Sequence, residues 1–122
     1  MGFRLNIREN RPGVFEVTIQ GPLDAQTQLI LETKIMEAIV PRTQAIILNM
    51  AGVNYISSLG LKAVFQIMHT MNERKGKVLL TNVQPQIQKV LDVIKMMPDA
   101  IFKSVEEADE YLNAIQKRVL GE

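Results

Sequence analysis

The sequence predicts a single α/β domain: an initial antiparallel hairpin, then a mostly parallel sheet with about four helices packed against it. Three observations lead there. Two segments near the start alternate apolar and polar residues, as strands with one wet face do. Two later runs, AIILNM at Ala45 to Met50 and VLLTNV at Val78 to Val83, are nearly continuous apolar stretches, as strands buried on both faces are. Segments with helical spacing separate these later strands, and such alternation is the pattern of an α/β sheet with crossover helices.

The elements follow in order. Phe3, Leu5 and Ile7 alternate with Arg4, Asn6 and Arg8, and Phe15, Val17 and Ile19 with Glu16, Thr18 and Gln20. Between them Arg11-Pro12-Gly13-Val14 suits a type II turn, because Pro pre-sets the first central dihedral and Gly permits the positive φ of the second. After Gly21-Pro22-Leu23, Asp24 is placed to cap a helix running to about Val40, with Leu31, Ile35 and Ile39 stacked on its core side and Pro41 stopping it. Leu29, Met36 and Val40 lie off that stripe, so this helix is either buried on two sides or a contact surface for a homodimer. A second helix begins near Ser57 and follows the first apolar run. Pro85 opens a third, with Ile87, Val90, Leu91 and Ile94 at i, i+3, i+4, i+7, and Pro98 ends that segment. A short strand around Ile101-Phe102 is expected next. Ser104 and Glu107 then form a capping box for a last helix with Ala108, Tyr111, Leu112, Ile115 and Val119 as its apolar stripe.

Composition excludes several functions. The 122 residues suit one domain spanning 1–122, and 47% hydrophobic against 22% charged is a globular balance. A formal charge of +1 gives no electrostatic case for nucleic acid, and the one dense basic stretch, Arg74, Lys75 and Lys77 around Gly76, reads as a solvated helix end. With no cysteine there is no disulfide framework, thiolate metal site or thiol catalysis. No stretch is long and apolar enough to insert in a membrane, and no secretory segment opens the chain, so a soluble, cytoplasmic protein without a cofactor is expected.

The stretch NYISSLGLK, Asn54 to Lys62, places two serines where a loop gives way to a helix. A catalytic role fails on geometry. The nucleophile elbow Gly-x-Ser-x-Gly would need glycine at the position of Ile56, and His69 lies eleven residues beyond Ser58, about 16 Å along a continuous helix. His69 also shares a polar stripe with Lys62, Gln66 and Glu73, as a solvated histidine would. No carboxylates or histidines cluster at ligand spacing, so neither a metal site nor an enzyme is expected. Ser57 suits an N-cap. Ser58 then sits in the first turn, either as an ordinary helix residue or as the site of a phosphate, which the amide-rich end tolerates. The spacing predicts Leu61, Val64, Phe65 and Met68 as the core stripe, with Leu59 on the opposite side beside Ala63. Leu59 and Tyr55 could then begin a protein-binding patch centred on the serines.

The run LNMAGVNYISSLGLKAVF resembles the strand, loop and helix at the heart of STAS domains, the anti-sigma factor antagonist family. Upstream, FEVTIQGPLDAQT is similar to that family's second strand and Gly-x-Leu-Asp turn. The resemblance covers most of the chain. It implies partner switching: an unmodified domain binds an anti-sigma factor that is also a serine kinase, phosphorylation ends the interaction, and a phosphatase resets it. The implied phosphoacceptor is Ser58, with Ser57 as the alternative, and the implied partner surface is Asp24, Tyr55, Ser57, Ser58, Leu59 and Lys62. ATP and Mg²⁺ would come with the kinase. The chain departs from the family pattern at Ser57, where Asp is usual, at Leu59, where a small residue is common, and at Asn49, where an Asp often ends the strand. Other STAS proteins act without phosphorylation, as stressosome-type scaffolds or as subunits of lipid-transport ATPases.

Overall fold

In the computed structural model, the described residues are 2–93 together with Ile101, Phe102, Glu110 and Ala114. The chain opens with the antiparallel hairpin of β1 (Arg4–Arg11) and β2 (Val14–Gln20), turning through Gly13 at φ 80°, the conformation the type II turn demands. Then follow α1 (Gln28–Ala38), β3 (Ala45–Gly52), α2 (Ser58–Glu73), β4 (Lys77–Thr81), α3 (Pro85–Val93) and β5 (Ile101–Phe102). The sheet order is β1-β2-β3-β4-β5, and every pair after the hairpin is parallel. Because each crossover steps to the next neighbour in the same direction, right-handed connections place all three helices on one face.

That face holds the core. Val17 and Ile19 of β2, Ile46, Leu48 and Met50 of β3, and Val78 and Leu80 of β4 meet Leu31 and Ile35 of α1, Ala63, Val64, Ile67 and Met71 of α2, and Ile87 and Leu91 of α3. Fully burying an aliphatic side chain such as Leu31 or Ile35 contributes about 1.5–3 kcal/mol. Ile47, Leu79 and Thr81, which alternate onto the other face, are buried as well, as the two continuous apolar runs predict.

Four expectations need correction. First, α1 starts at Gln28, not directly after Asp24. The Asp24 carboxylate accepts from the amides of Gln26 and Thr27 and so closes a separate turn, while the Thr27 hydroxyl is spent on Pro22 O at 2.7 Å and leaves its helix without a side-chain cap. Second, α1 ends at Ala38, before Pro41 is reached, because Thr43 Oγ1 donates to Ala38 O at 2.9 Å and takes the Val40 amide at 3.0 Å. Third, the buried stripe of α2 is Gly60, Ala63, Val64, Ile67 and Met71. Phe65, expected in the core, is exposed, and Leu61 and Met68 are only partly buried. The helix is rotated by about one residue, or about 100°, from the orientation that its large apolar side chains suggest. Gly60 fixes this phase: a Cβ there would lie 2.5 Å from Leu23 O. Fourth, Arg74 is more than a solvated helix end. Its Nη2 donates to Val40 O at 2.7 Å and Thr43 O at 3.1 Å, binding the end of α2 to the α1–β3 connection.

The expected last helix, with its Ser104 and Glu107 capping box, lies outside the described residues except that Glu110 and Ala114 are helical and exposed. Ile94 and Pro98 lie outside them too.

Candidate functional site

The candidate site is built where β2 and β3 release the chain at their carboxyl ends. Leu23 and Ile56 form an isolated parallel bridge, in which the Leu23 amide donates to Tyr55 O at 2.9 Å and the Ser57 amide donates to Leu23 O at 2.8 Å. The loop carrying Asp24 and the loop carrying Tyr55 to Ser57 are thus one braced lip, with Gly60 packed against it.

Ser57 is extended, at φ −95° and ψ 175°, and its Oγ accepts from the Gly60 amide at 3.2 Å. That is the N-cap the sequence predicts, worth about 1 kcal/mol. It commits this half-buried hydroxyl to the fold. Ser58, the first residue of α2, is exposed and makes no side-chain hydrogen bond among the described residues. One serine closes the helix and its neighbour faces solvent.

The rotation of α2 decides what stands beside Ser58. With Gly60, Ala63, Ile67 and Met71 facing inward, the opposite ridge carries Ser58, Lys62, Phe65 and His69, all exposed. Leu59 lies on the flank at 41% exposure, and Tyr55 in the lip is 54% exposed. Asp24 is half-buried, and its Oδ1 accepts from the Gln26 and Thr27 amides, so this carboxylate is mainly a turn-former. His69 Nε2 lies 3.4 Å from Glu73 Oε2, one turn further on and away from Ser58. Among the described residues no group of three or more His, Cys, Asp or Glu could hold a metal ion, and no helix is long and apolar enough to cross a membrane.

The lip is also held from the far side. Gln84 Nε2 donates to Ala51 O at 2.7 Å, and Gln86 Nε2 to Asn54 O at 3.2 Å. Asn49 links three elements: its Nδ2 donates to Glu16 Oε2 at 3.3 Å, while its Oδ1 accepts from Asn82 Nδ2 at 3.1 Å. Arg8 and Asn10 donate to the other oxygen of the buried Glu16. Sequence reasoning missed the two glutamines and Phe65. The glutamines carry no local signal, whereas Gly60 and Ala63, counted as core positions, would have turned α2 correctly.

These features coincide with a known domain class. The STAS domain family matches residues 7–108, and the chain belongs to that family. In sequence it is 26% identical over 108 residues to the anti-sigma F factor antagonist of Paenibacillus polymyxa, covering 88% of each chain. In structure it is similar to the anti-sigma factor antagonist SpoIIAA in its unphosphorylated form, with a TM-score of 0.80, 21% identity and coverage of 91% of this chain and 97% of that one. It is also similar to a sulfate transporter family protein from Wolinella succinogenes, with a TM-score of 0.75, 20% identity and coverage of 86% and 88%. At these identities the two structures show a shared fold.

Proposed function

We propose that this chain is an anti-sigma factor antagonist switched by phosphorylation of Ser58. Unmodified, it binds an anti-sigma factor that is also a serine kinase. The kinase then directs Ser58 Oγ onto the γ-phosphorus of ATP; the bond to ADP breaks, the new O–P bond forms, and the hydroxyl proton passes to a base on the kinase. The modified domain lets go until a phosphatase removes the group. The chain acts as a regulator and supplies no catalytic group of its own.

The observation that carries this reading is the division of labour between the serines: Ser57 is held by the Gly60 amide, and Ser58 is free beside exposed Tyr55, Leu59 and Lys62. Similarity to a named anti-sigma F factor antagonist over 88% of both chains supports it. Phosphate on Ser57 would cost the helix its cap, whereas phosphate on Ser58 displaces no hydrogen bond of the fold and stands at the positive end of α2. The added charge of about −1.5 to −2 must be desolvated in any complex built over the lip, at several kcal/mol, and each 1.4 kcal/mol is about tenfold in affinity.

Incubation with the cognate kinase and ATP, followed by peptide mass spectrometry, should place one phosphate on Ser58 and none in Ser58→Ala. Affinity for the kinase should fall at least tenfold on modification. Equal affinity of the modified and unmodified forms would remove the switch. One feature favours a second reading, a STAS scaffold or transport-ATPase subunit that binds unmodified: Ser57 and Asn49 are neutral where the family usually carries acids. Tight partner binding with no phosphate incorporated would support it.

A further inference from the structure

We infer that Lys62 is the counter-ion of phosphorylated Ser58, so that modification withdraws this ammonium from the docking surface as well as adding charge to it. The inference rests on the reading of Ser58 as the modified residue and adds to how that residue works.

Ser58 and Lys62 are one turn apart on the outward ridge of α2, and both are exposed. Neighbours at i and i+4 come within about 5–6 Å of each other at Cβ, and the favourable order places the anion nearer the helix N-terminus, as here. Among the described residues Lys62 makes no ion pair: the salt bridges are Arg8–Glu16, Arg42–Glu9 and His69–Glu73. Its ammonium is therefore free before modification and available to a new anion afterwards.

Among the described residues that pack against the start of α2, no other cation competes. Residues 21–27 and 52–57, which pack against the start of α2, contain only Asp24 and Tyr55 as ionisable side chains, and residues 84–88, which reach the lip from α3, contain none. The Asp24 Oδ1 that could repel the phosphate already accepts from two backbone amides, those of Gln26 and Thr27. His69, next along the ridge, stands beside Glu73.

The unmodified surface thus offers a hydroxyl and a free ammonium, and the modified surface a partly compensated dianion with the ammonium turned toward it. A partner carboxylate that uses Lys62 must then compete with the phosphate for it.

The test needs no kinase, so it is independent of whether the cell modifies Ser58. Phosphoserine is installed at position 58 during translation, and the second ionisation of the phosphate is followed by ³¹P NMR in low salt. The midpoint should lie about 0.3 pH units lower with Lys62 than in Lys62→Met, as expected for an i,i+4 pair. Lys62→Arg should keep the lower midpoint, and Lys89→Met on α3 should leave it unchanged. Midpoints within 0.1 unit in the parent and Lys62→Met proteins would overturn the ion pair and leave the switch standing. Absence of phosphate on Ser58 after treatment with the kinase would remove the switch and leave the titration result intact.

Discussion

At the amino ends of β3 and β4 the connections are fastened with charge. Arg42 pairs with Glu9 at 2.9 Å and lies over the Phe15 ring, the Gly13 amide donates to the same Glu9 carboxylate, and Arg74 gathers the carbonyls of Val40 and Thr43. At the carboxyl ends, where the serines stand, the described contacts brace the lip without a cation: the Leu23–Ile56 bridge, the amides of Gln84 and Gln86, and the Asn49–Asn82 pair. The difference suits the proposed function. A lip held by ion pairs would compete with an incoming dianion for its own cations, and modification would loosen it. A lip held by amides and backbone bonds takes the charge without exchanging partners.

The largest effect is expected from breaking the neutral end. In Gly60→Ala the new methyl would lie 2.5 Å from Leu23 O, a backbone atom that cannot step aside. Stability in urea should fall by about 2 kcal/mol, and partner affinity should fall with it because the lip moves. Unchanged affinity in the folded fraction would mean that the bracing is irrelevant to binding. At the charged end, Arg74→Ala should cost about 1 kcal/mol and leave partner affinity intact. A loss of binding there would erase the distinction between the two ends.

The smallest effect is a pH dependence. The Arg42 guanidinium, followed by the Gly13 amide, holds the Glu9 carboxyl down to about 2 from 4.5. A carboxyl lowered in the folded state gives its full stabilisation above pH 4.5, and that contribution drains away as pH falls toward about 2. Glu9→Gln should therefore flatten the stability profile between those limits without altering it at pH 7 relative to other pH values above 5. An identical acid slope in both proteins would show that this clasp does not contribute in solution.

Much of this architecture could be read directly. The hairpin, its Gly13 turn, the two doubly buried strands and the short strand at Ile101-Phe102 follow from period and composition, since burial on one face or two leaves a direct trace in the residue pattern. The capping role of Ser57 was legible for the same reason, being local. What failed was not local. The phase of α2 is set by contact between Gly60 and a backbone atom of Leu23, which lies far back in the chain, and small residues at such contacts are silent in a count of large apolar ones. Asp24 was assigned to the helix start, but Thr27 offers it a nearer set of partners. Arg74 reaches carbonyls more than thirty positions earlier in the chain, a choice that no window of neighbouring residues reveals.

The Asn49–Glu16 contact bears on any attempt to rebuild this chain in the image of its relatives. Placing an acid at the end of β3 would set two carboxylates about as close as the present 3.3 Å hydrogen bond, inside a part of the sheet where Glu16 has little water to relieve the repulsion. The two positions are therefore coupled: an aspartate at position 49 should cost less stability when Glu16 is replaced by Gln in the same chain.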